Sequence, residues 1–245
     1  RCRRVPGTPE HSPRDHRTGN LIMKGFDATI GGRQPPEGGS TDLMAHEGIV
    51  SPRLKQALEL AIRLHGNETR KESPVPLLAH LLGVCALVQH DGGTEEEAIA
   101  ALLHDSLEDK PELITVDDIA GRFGKRVAEI VTVATDTAPD YRGGQKGPWR
   151  QRKERYLETI RTSDPSLLRV TVADKVDNLR AILSDYARLG ELFWARFSAP
   201  KRDQLWYYRT ALEAYRTSGF TGALLLELER LVRQLEDLSR REERK

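Results

Sequence analysis

The sequence predicts an all-α protein, in which a single compact helical bundle follows a disordered N-terminal tail. Apolar residues recur at three- and four-residue spacing from residue 51 onward, and several of these segments open on residues that cap helices. We find no convincing alternation of apolar and polar residues of the kind that indicates a strand. These observations favour helices throughout the folded part.

The N-terminal tail is predicted from its composition. Residues 1–43 are rich in Arg, Gly, Pro and Ser and lack apolar periodicity, which is typical of disorder. The chain begins with Arg1, which is consistent with a fragment or with translated bases upstream of a start at Met23 or Met44. We therefore predict a tail over residues 1–43, non-native if translation starts later, and a folded domain over residues 44–245.

The overall composition is that of an ordinary globular protein with balanced charge. Of 245 residues, 38% are hydrophobic and 31% are charged, and the net charge is +1. This balance indicates no general attraction to nucleic acid or acidic membranes, although residues 146–155 are locally basic. We see no membrane span or signal peptide. Because the two cysteines suggest no disulfide framework, we predict a cytoplasmic protein.

The first half of the domain contains helices with recognisable start signals. Ser51 and Pro52 form an N-cap and a first-turn proline, and Thr94 with Glu97 forms a capping box. The nearly all-apolar run 77–88 predicts a helix that is buried around much of its circumference. The helices predicted here cover residues 52–65, 77–88 and 94–103, a short one opening at Thr115 that Gly121 to Gly124 interrupts, and a continuation over 127–134.

The second half continues with amphipathic helices after a long loop. Pro and Gly residues make 136–148 a loop, and the helix that follows, 149–162, is basic. Asp164 and Pro165 start the next helix, and Pro200 precedes another that carries three aromatic residues. The last helix, at about 222–240, has a leucine stripe that favours core packing over an oligomer seam.

Four residues on apolar helical segments form a candidate metal site. A buried carboxylate is costly unless it has a partner or a metal, and two His with two Asp suit Mn²⁺, Fe²⁺ or Zn²⁺ better than Ca²⁺. Taken alone, His80 would be a hydrogen-bonded core residue, Asp174 a buried partner for Lys or Arg, and His104-Asp105 a dipeptide that occurs often by chance. Their combination favours a metal site, formed by His80, His104, Asp105 and Asp174.

These motifs resemble the HD-domain metal-dependent phosphohydrolase superfamily. Within it, they are most similar to the hydrolase domain of the RelA/SpoT alarmone enzymes and to their small stand-alone relatives. The resemblance covers about residues 50–215 and is specific because several motifs occur in the family's order. The matching segments are His65–Lys71, Pro76–His80, Ala100–Asp109, Ile119–Gly124 and Val172–Arg180.

The resemblance implies a role for each matching residue, within an HD-domain helical bundle. The four candidate ligands would hold one divalent ion, commonly Mn²⁺, and Glu108 and Asp109 would position or activate the attacking water. His104 and Glu108 are four residues apart and share a face if the helix continues. A metal lowers the pKa of its bound water, and a nearby carboxylate can then take the proton of that water. The alternative for the acidic pair is a solvated helix end. The alternative for the 149–162 helix is a solvated basic surface. The implied substrate-binding residues are Arg70, Lys71, Lys153 and Asn178.

Three positions depart from the family's pattern. Leu77 and Ala79 stand where Tyr and Asn precede the first ligand histidine, so that edge of the site is less polar. Asp177 adds a carboxylate beside the site, which would either repel phosphates or aid metal binding. The metal site therefore carries over from the family better than the substrate does.

The leading functional prediction is metal-dependent hydrolysis of a nucleotide phosphate or pyrophosphate ester, specifically removal of the 3′-pyrophosphate from (p)ppGpp. One alternative is a phosphomonoesterase or phosphodiesterase that acts on another nucleotide. A second alternative is a non-catalytic module that binds an alarmone or nucleotide, although Glu108 and Asp109 argue against it. The expected partner is a small nucleotide, with no membrane and no nucleic acid, and the oligomeric state is open.

Overall fold

A computed structural model describes residues 50–70, 73–138 and 141–242. Every regular element in these ranges is helical, and the extended pairing there is one isolated bridge between Thr69 and Pro76, so the all-α prediction is confirmed. No helix in the described ranges is long and apolar enough to cross a membrane. The predicted tail, residues 1–43, lies outside the described residues, as does Lys71.

The described elements are ten α-helices and two 3₁₀ segments, and the longest connection between α-helices precedes the seventh. The ten α-helices are α1 (Pro52–His65), α2 (Leu77–His90), α3 (Glu95–Leu103), α4 (Ser106–Asp109), α5 (Val116–Phe123), α6 (Lys125–Ala134), α7 (Trp149–Thr162), α8 (Arg169–Leu189), α9 (Lys201–Thr217) and α10 (Ala223–Glu242). Two 3₁₀ segments span Pro165–Leu167 and Gly190–Arg196.

The predicted helix starts are confirmed by their caps. The Ser51 hydroxyl oxygen accepts a hydrogen bond from the backbone N–H of Leu54 at 3.1 Å, and Pro52 begins α1. The capping box of Thr94 and Glu97 is reciprocal, and the box at Thr115 is closed by Asp118 in the same way. Such caps satisfy backbone N–H groups that have no partner within the helix, which explains why these boundaries are readable locally.

Two predicted boundaries are wrong in detail. Gly121 does not interrupt α5, because it lies within this helix, and only Gly124 ends it. Gly124 has a φ of +89°, a conformation that costs glycine little, and α6 begins at the next residue. In addition, Pro165 opens a 3₁₀ turn rather than the helix itself, and α8 begins at Arg169.

The centre of the bundle is α3, which contacts α1, α2, α6 and α8. All residues from Ala98 to Leu103 are buried, so this part of the helix is covered on every side, and its sequence is apolar throughout. Helix α2 also packs against α8. Polar residues at the end of α3 therefore meet residues of α2 and α8 inside the protein, and the candidate metal site occupies this place.

The C-terminal helix belongs to the core, as its leucine stripe predicts. Leu228 is fully buried and α10 packs against α8 and α9, whereas Leu226 on the same helix is 68% exposed. We expect Leu228→Ala to lower the free energy of unfolding by about 2–5 kcal/mol, since it leaves a cavity. The control Leu226→Ala changes it by less than about 0.5 kcal/mol. Equal effects of the two changes in urea denaturation would contradict the burial of this stripe.

Candidate metal centre and substrate cleft

The four predicted metal ligands come together between α2, α3 and α8. His80 Nε2 lies 3.2 Å from Asp174 Oδ1 and 3.8 Å from Asp105 Oδ2. His104 Nε2 lies 3.2 Å from Asp105 Oδ1 and 3.7 Å from Asp174 Oδ1. The two imidazole rings meet edge to face, with centroids 5.1 Å apart. We call these side chains the donor set: His80, His104, Asp105 and Asp174.

The hydrogen bonds of the two Nδ1 atoms determine which ring nitrogen of each histidine points at the other donors. His104 Nδ1 lies 2.8 Å from the carbonyl oxygen of Ala101, which can only accept, so Nδ1 carries the proton. His80 Nδ1 lies 2.6 Å from a carboxylate oxygen of Asp177, with the same consequence. Each Nε2 therefore faces carboxylate oxygens, and His104 Nε2 is buried without a hydrogen-bond partner. Because facing oxygens repel an unprotonated Nε2, this arrangement needs either a proton on the nitrogen or a metal ion between the donors.

The protonation equilibria of the donor set reflect the same negative field. Burial opposes the charged imidazole of His80, but hydrogen bonds with Asp174 and Asp177 outweigh it and raise its pKa to about 9. Burial also opposes the charge of Asp174, yet neighbouring Lys175 and the two histidines hold its pKa well below the usual range. The Asp174 carboxylate is therefore ionised at neutral pH and attracts a cation.

The acidic pair lies on a separate turn of helix. Helix α3 ends at Leu103, and Glu108 and Asp109 belong to the one-turn helix α4, so His104 and Glu108 do not lie on one continuous helix. Lys146 Nζ joins the pair, 2.7 Å from Glu108 Oε1 and 2.9 Å from Asp109 Oδ1. Burial and the charge of Asp136 raise the pKa of Glu108. A raised pKa makes this carboxylate a better proton acceptor.

One cleft of about 910 Å³ connects the donor set to the predicted substrate-binding residues. Arg70 donates to Asp177 Oδ2 at 2.8 Å and to Asn178 Oδ1 at 2.5 Å, and the Asn178 amide donates to Asp174. Lys153 donates to Asp136 Oδ2 at 2.6 Å. The cleft is lined by all three of the described residues predicted to bind substrate: Arg70, Lys153 and Asn178.

Lys146, Arg152 and Asp136 are cleft residues that the sequence did not single out. Arg152 bonds to the buried carboxylate of Asp136, which also holds Lys153, so this carboxylate anchors both cations. Burial raises the pKa of Asp136, but the two cations outweigh this effect and lower the pKa to about 2. The locally basic stretch 146–155 was a visible signal, but its sequence could not show which residues face the cleft. We call Lys146, Arg152 and Lys153 the cationic wall.

The departures from the family's pattern occupy different places. Leu77 lines the cleft, so the less polar edge that the sequence predicts is confirmed at this position. Ala79 is exposed and is not among the lining residues. Asp177 contacts both His80 and Arg70.

Comparison with known proteins identifies the architecture. A family model described as an HD domain matches residues 57–204. The chain belongs to the HD-domain hydrolase family. The HD-domain match contains the whole donor set and both members of the acidic pair.

Several relatives carry names of one activity. The human guanosine-3′,5′-bis(diphosphate) 3′-pyrophosphohydrolase MESH1 is 32% identical over 136 residues, which are 54% of this HD-domain chain and 71% of the human protein. An Aquifex aeolicus protein named guanosine-3′,5′-bis(diphosphate) 3′-pyrophosphohydrolase is 31% identical over 141 residues. The Escherichia coli bifunctional (p)ppGpp synthase/hydrolase SpoT is 31% identical over 136 residues. The Aquifex match covers 57% of this chain and 19% of that protein, and the Escherichia coli match covers 53% of this chain and 18% of that protein.

Solved structures share the fold of this HD-domain protein. A Listeria monocytogenes protein superposes with a TM-score of 0.55 at 28% identity, covering 64% of this chain and 97% of its own. A metazoan ortholog of SpoT superposes with a TM-score of 0.59 at 24% identity, covering 75% of this chain and 96% of its own. The second likeness is evidence for the fold alone.

The HD-domain family implies a divalent metal, and the residues present fit one. The candidate ligand atoms of His80, His104 and Asp105 all lie within 4.8 Å of one another. The partnerless Nε2 of His104 and the paired carboxylates supply the mixed nitrogen and oxygen donors that first-row divalent metals prefer. Asp174 adds a further oxygen that faces both histidines.

Proposed function

We propose that this chain removes the 3′-pyrophosphate from (p)ppGpp, using one divalent ion held by the donor set. The observation that carries the proposal is that one cleft is lined by three members of the donor set, by Glu108 and by the cationic wall. A pyrophosphate group needs both a centre of hydrolysis and compensation of its negative charge. The names of the relatives with 31–32% identity favour (p)ppGpp among nucleotides.

We propose Mn²⁺ as the ion, with Fe²⁺ and Zn²⁺ as alternatives. The two imidazole nitrogens exclude a purely oxygen-binding ion such as Ca²⁺ as the best match, and carboxylates suit Mn²⁺. When bound, the ion would supply Lewis-acid activation of water and of the phosphoryl group. His80 and His104 present their Nε2 atoms to it, because hydrogen bonds occupy both Nδ1 atoms.

Glu108 is the proposed proton acceptor of the reaction. Its raised pKa brings it closer to neutral pH, while the hydrogen bond from Lys146 keeps it oriented and charged. Asp109 shares Lys146 and holds this lysine between the two carboxylates. A base that is held in place in this way can take a proton from the attacking water without a reorganisation of its surroundings.

The cationic wall is proposed to bind the phosphates, and Arg70 with Asn178 the nucleoside end. Asp136 holds two members of the wall, so they are already oriented before substrate binds. Arg70 and Asn178 are likewise fixed to each other. Lys71 stays a proposed substrate contact on the resemblance alone, since it lies outside the described residues. Preorganised cations reduce the entropy that phosphate binding would otherwise lose.

A nucleotide panel tests the proposed function. We expect full-length protein loaded with Mn²⁺ to release pyrophosphate from ppGpp, measured by a coupled pyrophosphate assay and ion-exchange chromatography of the product. Release of free phosphate from a nucleoside monophosphate, with ppGpp left intact, would favour the phosphomonoesterase alternative. Micromolar binding of ppGpp without turnover of any nucleotide would favour a regulatory module and overturn the proposal.

We also propose that residues 44–245 form the hydrolase domain and that the enzyme acts in the cytoplasm. All residues that line the cleft lie between Glu68 and Tyr208, and Cys85 is a buried free thiol, as expected of a reducing compartment. A version that begins at Met44 should hydrolyse ppGpp at the rate of the full chain. A large loss of rate would show that the tail takes part.

A further inference from the structure

Asp177 is one of three residues of α8 that bond to the donor set in the described part of the chain. Lys175 and Asn178 bond to Asp174, whereas Asp177 bonds to His80. One of its oxygens, Oδ2, lies 2.6 Å from His80 Nδ1 and 2.8 Å from Arg70 Nη1. The same oxygen thus accepts from a proposed metal ligand and from a proposed substrate contact. The sequence left open whether this carboxylate would repel phosphates or aid metal binding.

The charge of Asp177 is already compensated by these two contacts. Both partners donate to it, and Arg70 is permanently positive. A carboxylate that is held in this way presents little uncompensated charge to a phosphate group.

The other oxygen of the Asp177 carboxylate, Oδ1, lies close to Gly83. A Cβ atom at Gly83 would lie 2.7 Å from Asp177 Oδ1, closer than such atoms approach. Gly83 is in the interior of α2, one turn after His80, where glycine costs about 1 kcal/mol of helix propensity relative to alanine. The small residue therefore lets the Asp177 carboxylate approach α2 closely and reach His80.

We infer that Asp177 is a positioning residue, which fixes the ring of His80 for the metal and joins it to the substrate-binding Arg70, in a space that Gly83 provides. A carboxylate that accepts the outer N–H of a ligand histidine fixes its tautomer and orientation and increases its basicity. Here the carboxylate also orients an arginine, so one side chain prepares both the metal site and the nucleotide site. This inference rests on the proposed function for the roles of His80 and Arg70.

Metal affinity tests the inference without the need for turnover. Metal-free protein is titrated with Mn²⁺ in a calorimeter. Asp177→Ala should bind Mn²⁺ about 10- to 100-fold more weakly than the wild type, the usual effect of losing a residue that bonds to a metal ligand. The control Asp237→Ala changes an exposed carboxylate on α10 and should bind Mn²⁺ like the wild type. With saturating Mn²⁺, we expect kcat of Asp177→Ala to recover to within a few-fold while KM for the nucleotide stays raised, because Arg70 remains unanchored.

Gly83→Ala provides a second test that leaves the carboxylate in the chain. The added methyl group displaces the end of the Asp177 side chain, which can move, so the variant folds and gains helix propensity. It should therefore bind Mn²⁺ more weakly than the wild type without a lower melting temperature. Gly121→Ala is the matched control, because its Cβ would meet nothing within 4 Å.

Unchanged Mn²⁺ affinity in both Asp177→Ala and Gly83→Ala would overturn the inference, even if the wild type hydrolyses ppGpp. Conversely, the expected loss of affinity in a protein that leaves ppGpp intact would overturn the proposed substrate and support the inference. The two proposals therefore fail through different measurements.

Discussion

Replacing His104 by alanine should empty the metal site. The His104 ring is buried, its Nδ1 is committed to the Ala101 carbonyl, and its Nε2 has no partner other than the proposed ion. Alanine removes this donor and leaves two carboxylates with weaker compensation. We expect metal content, measured by elemental analysis after dialysis, to fall from about one ion per chain to background, as expected for a four-donor site that loses one donor. Turnover should fall by more than about 100-fold, since loss of even an outer-shell partner can have that effect.

His90→Ala is the control for this change. His90 is an exposed histidine at the C-terminal end of α2, the helix that carries His80. This variant should keep both its metal and its rate. Circular dichroism separates loss of metal from loss of fold in His104→Ala. A folded variant with an unchanged metal content would refute the assignment of His104.

Replacing Glu108 by glutamine should separate metal binding from catalysis. Glutamine has the shape of glutamate but cannot accept a proton, so turnover should fall. Because Glu108 lies outside the donor set, its replacement should leave the metal bound. We therefore expect full metal content and a turnover that is lower by about 10²–10⁴-fold, the usual contribution of a general base. Lys146 keeps its contact with Asp109, so the cationic wall should stay in place and KM should change little.

Glu112→Gln controls for the loss of one negative charge near α4. Glu112 is exposed and lies outside the cleft, so its replacement should leave both metal content and rate unchanged. A wild-type rate for Glu108→Gln would remove Glu108 from the mechanism and shift the role of base to Asp109. Loss of metal in that variant would instead place Glu108 among the ligands.

Much of the fold was predictable because helix boundaries depend on neighbouring residues. Caps at Ser51, Thr94 and Thr115 act within three residues, and the nearly all-apolar run 77–88 indicates the helix α2. Gly121 was misread because glycine lowers helix propensity by only about 1 kcal/mol, which the buried face of α5 overcomes. Local signals state a preference, and packing decides whether it prevails.

The donor set was predictable because its members are chemically unusual for apolar helices. A buried His or Asp needs a partner, so its residue type indicates chemistry before any distance is known. The cationic wall was not predictable in the same way. Lys146 comes from a loop that has no periodic pattern, and Asp136 acquires its role only when Arg152 and Lys153 reach it from α7.

The sequence by itself determined the helical class, the helix starts that have side-chain caps and the residue types that can hold a metal, since these depend on composition and on spacing over a few residues. The tertiary structure alone decided that α3 breaks at His104, that Lys146 joins the acidic pair, and what Asp177 does. The electrostatic effect of a carboxylate depends on which charges lie within a few ångströms of it. For Asp177 those charges belong to residues that are 97 and 107 positions away along the chain.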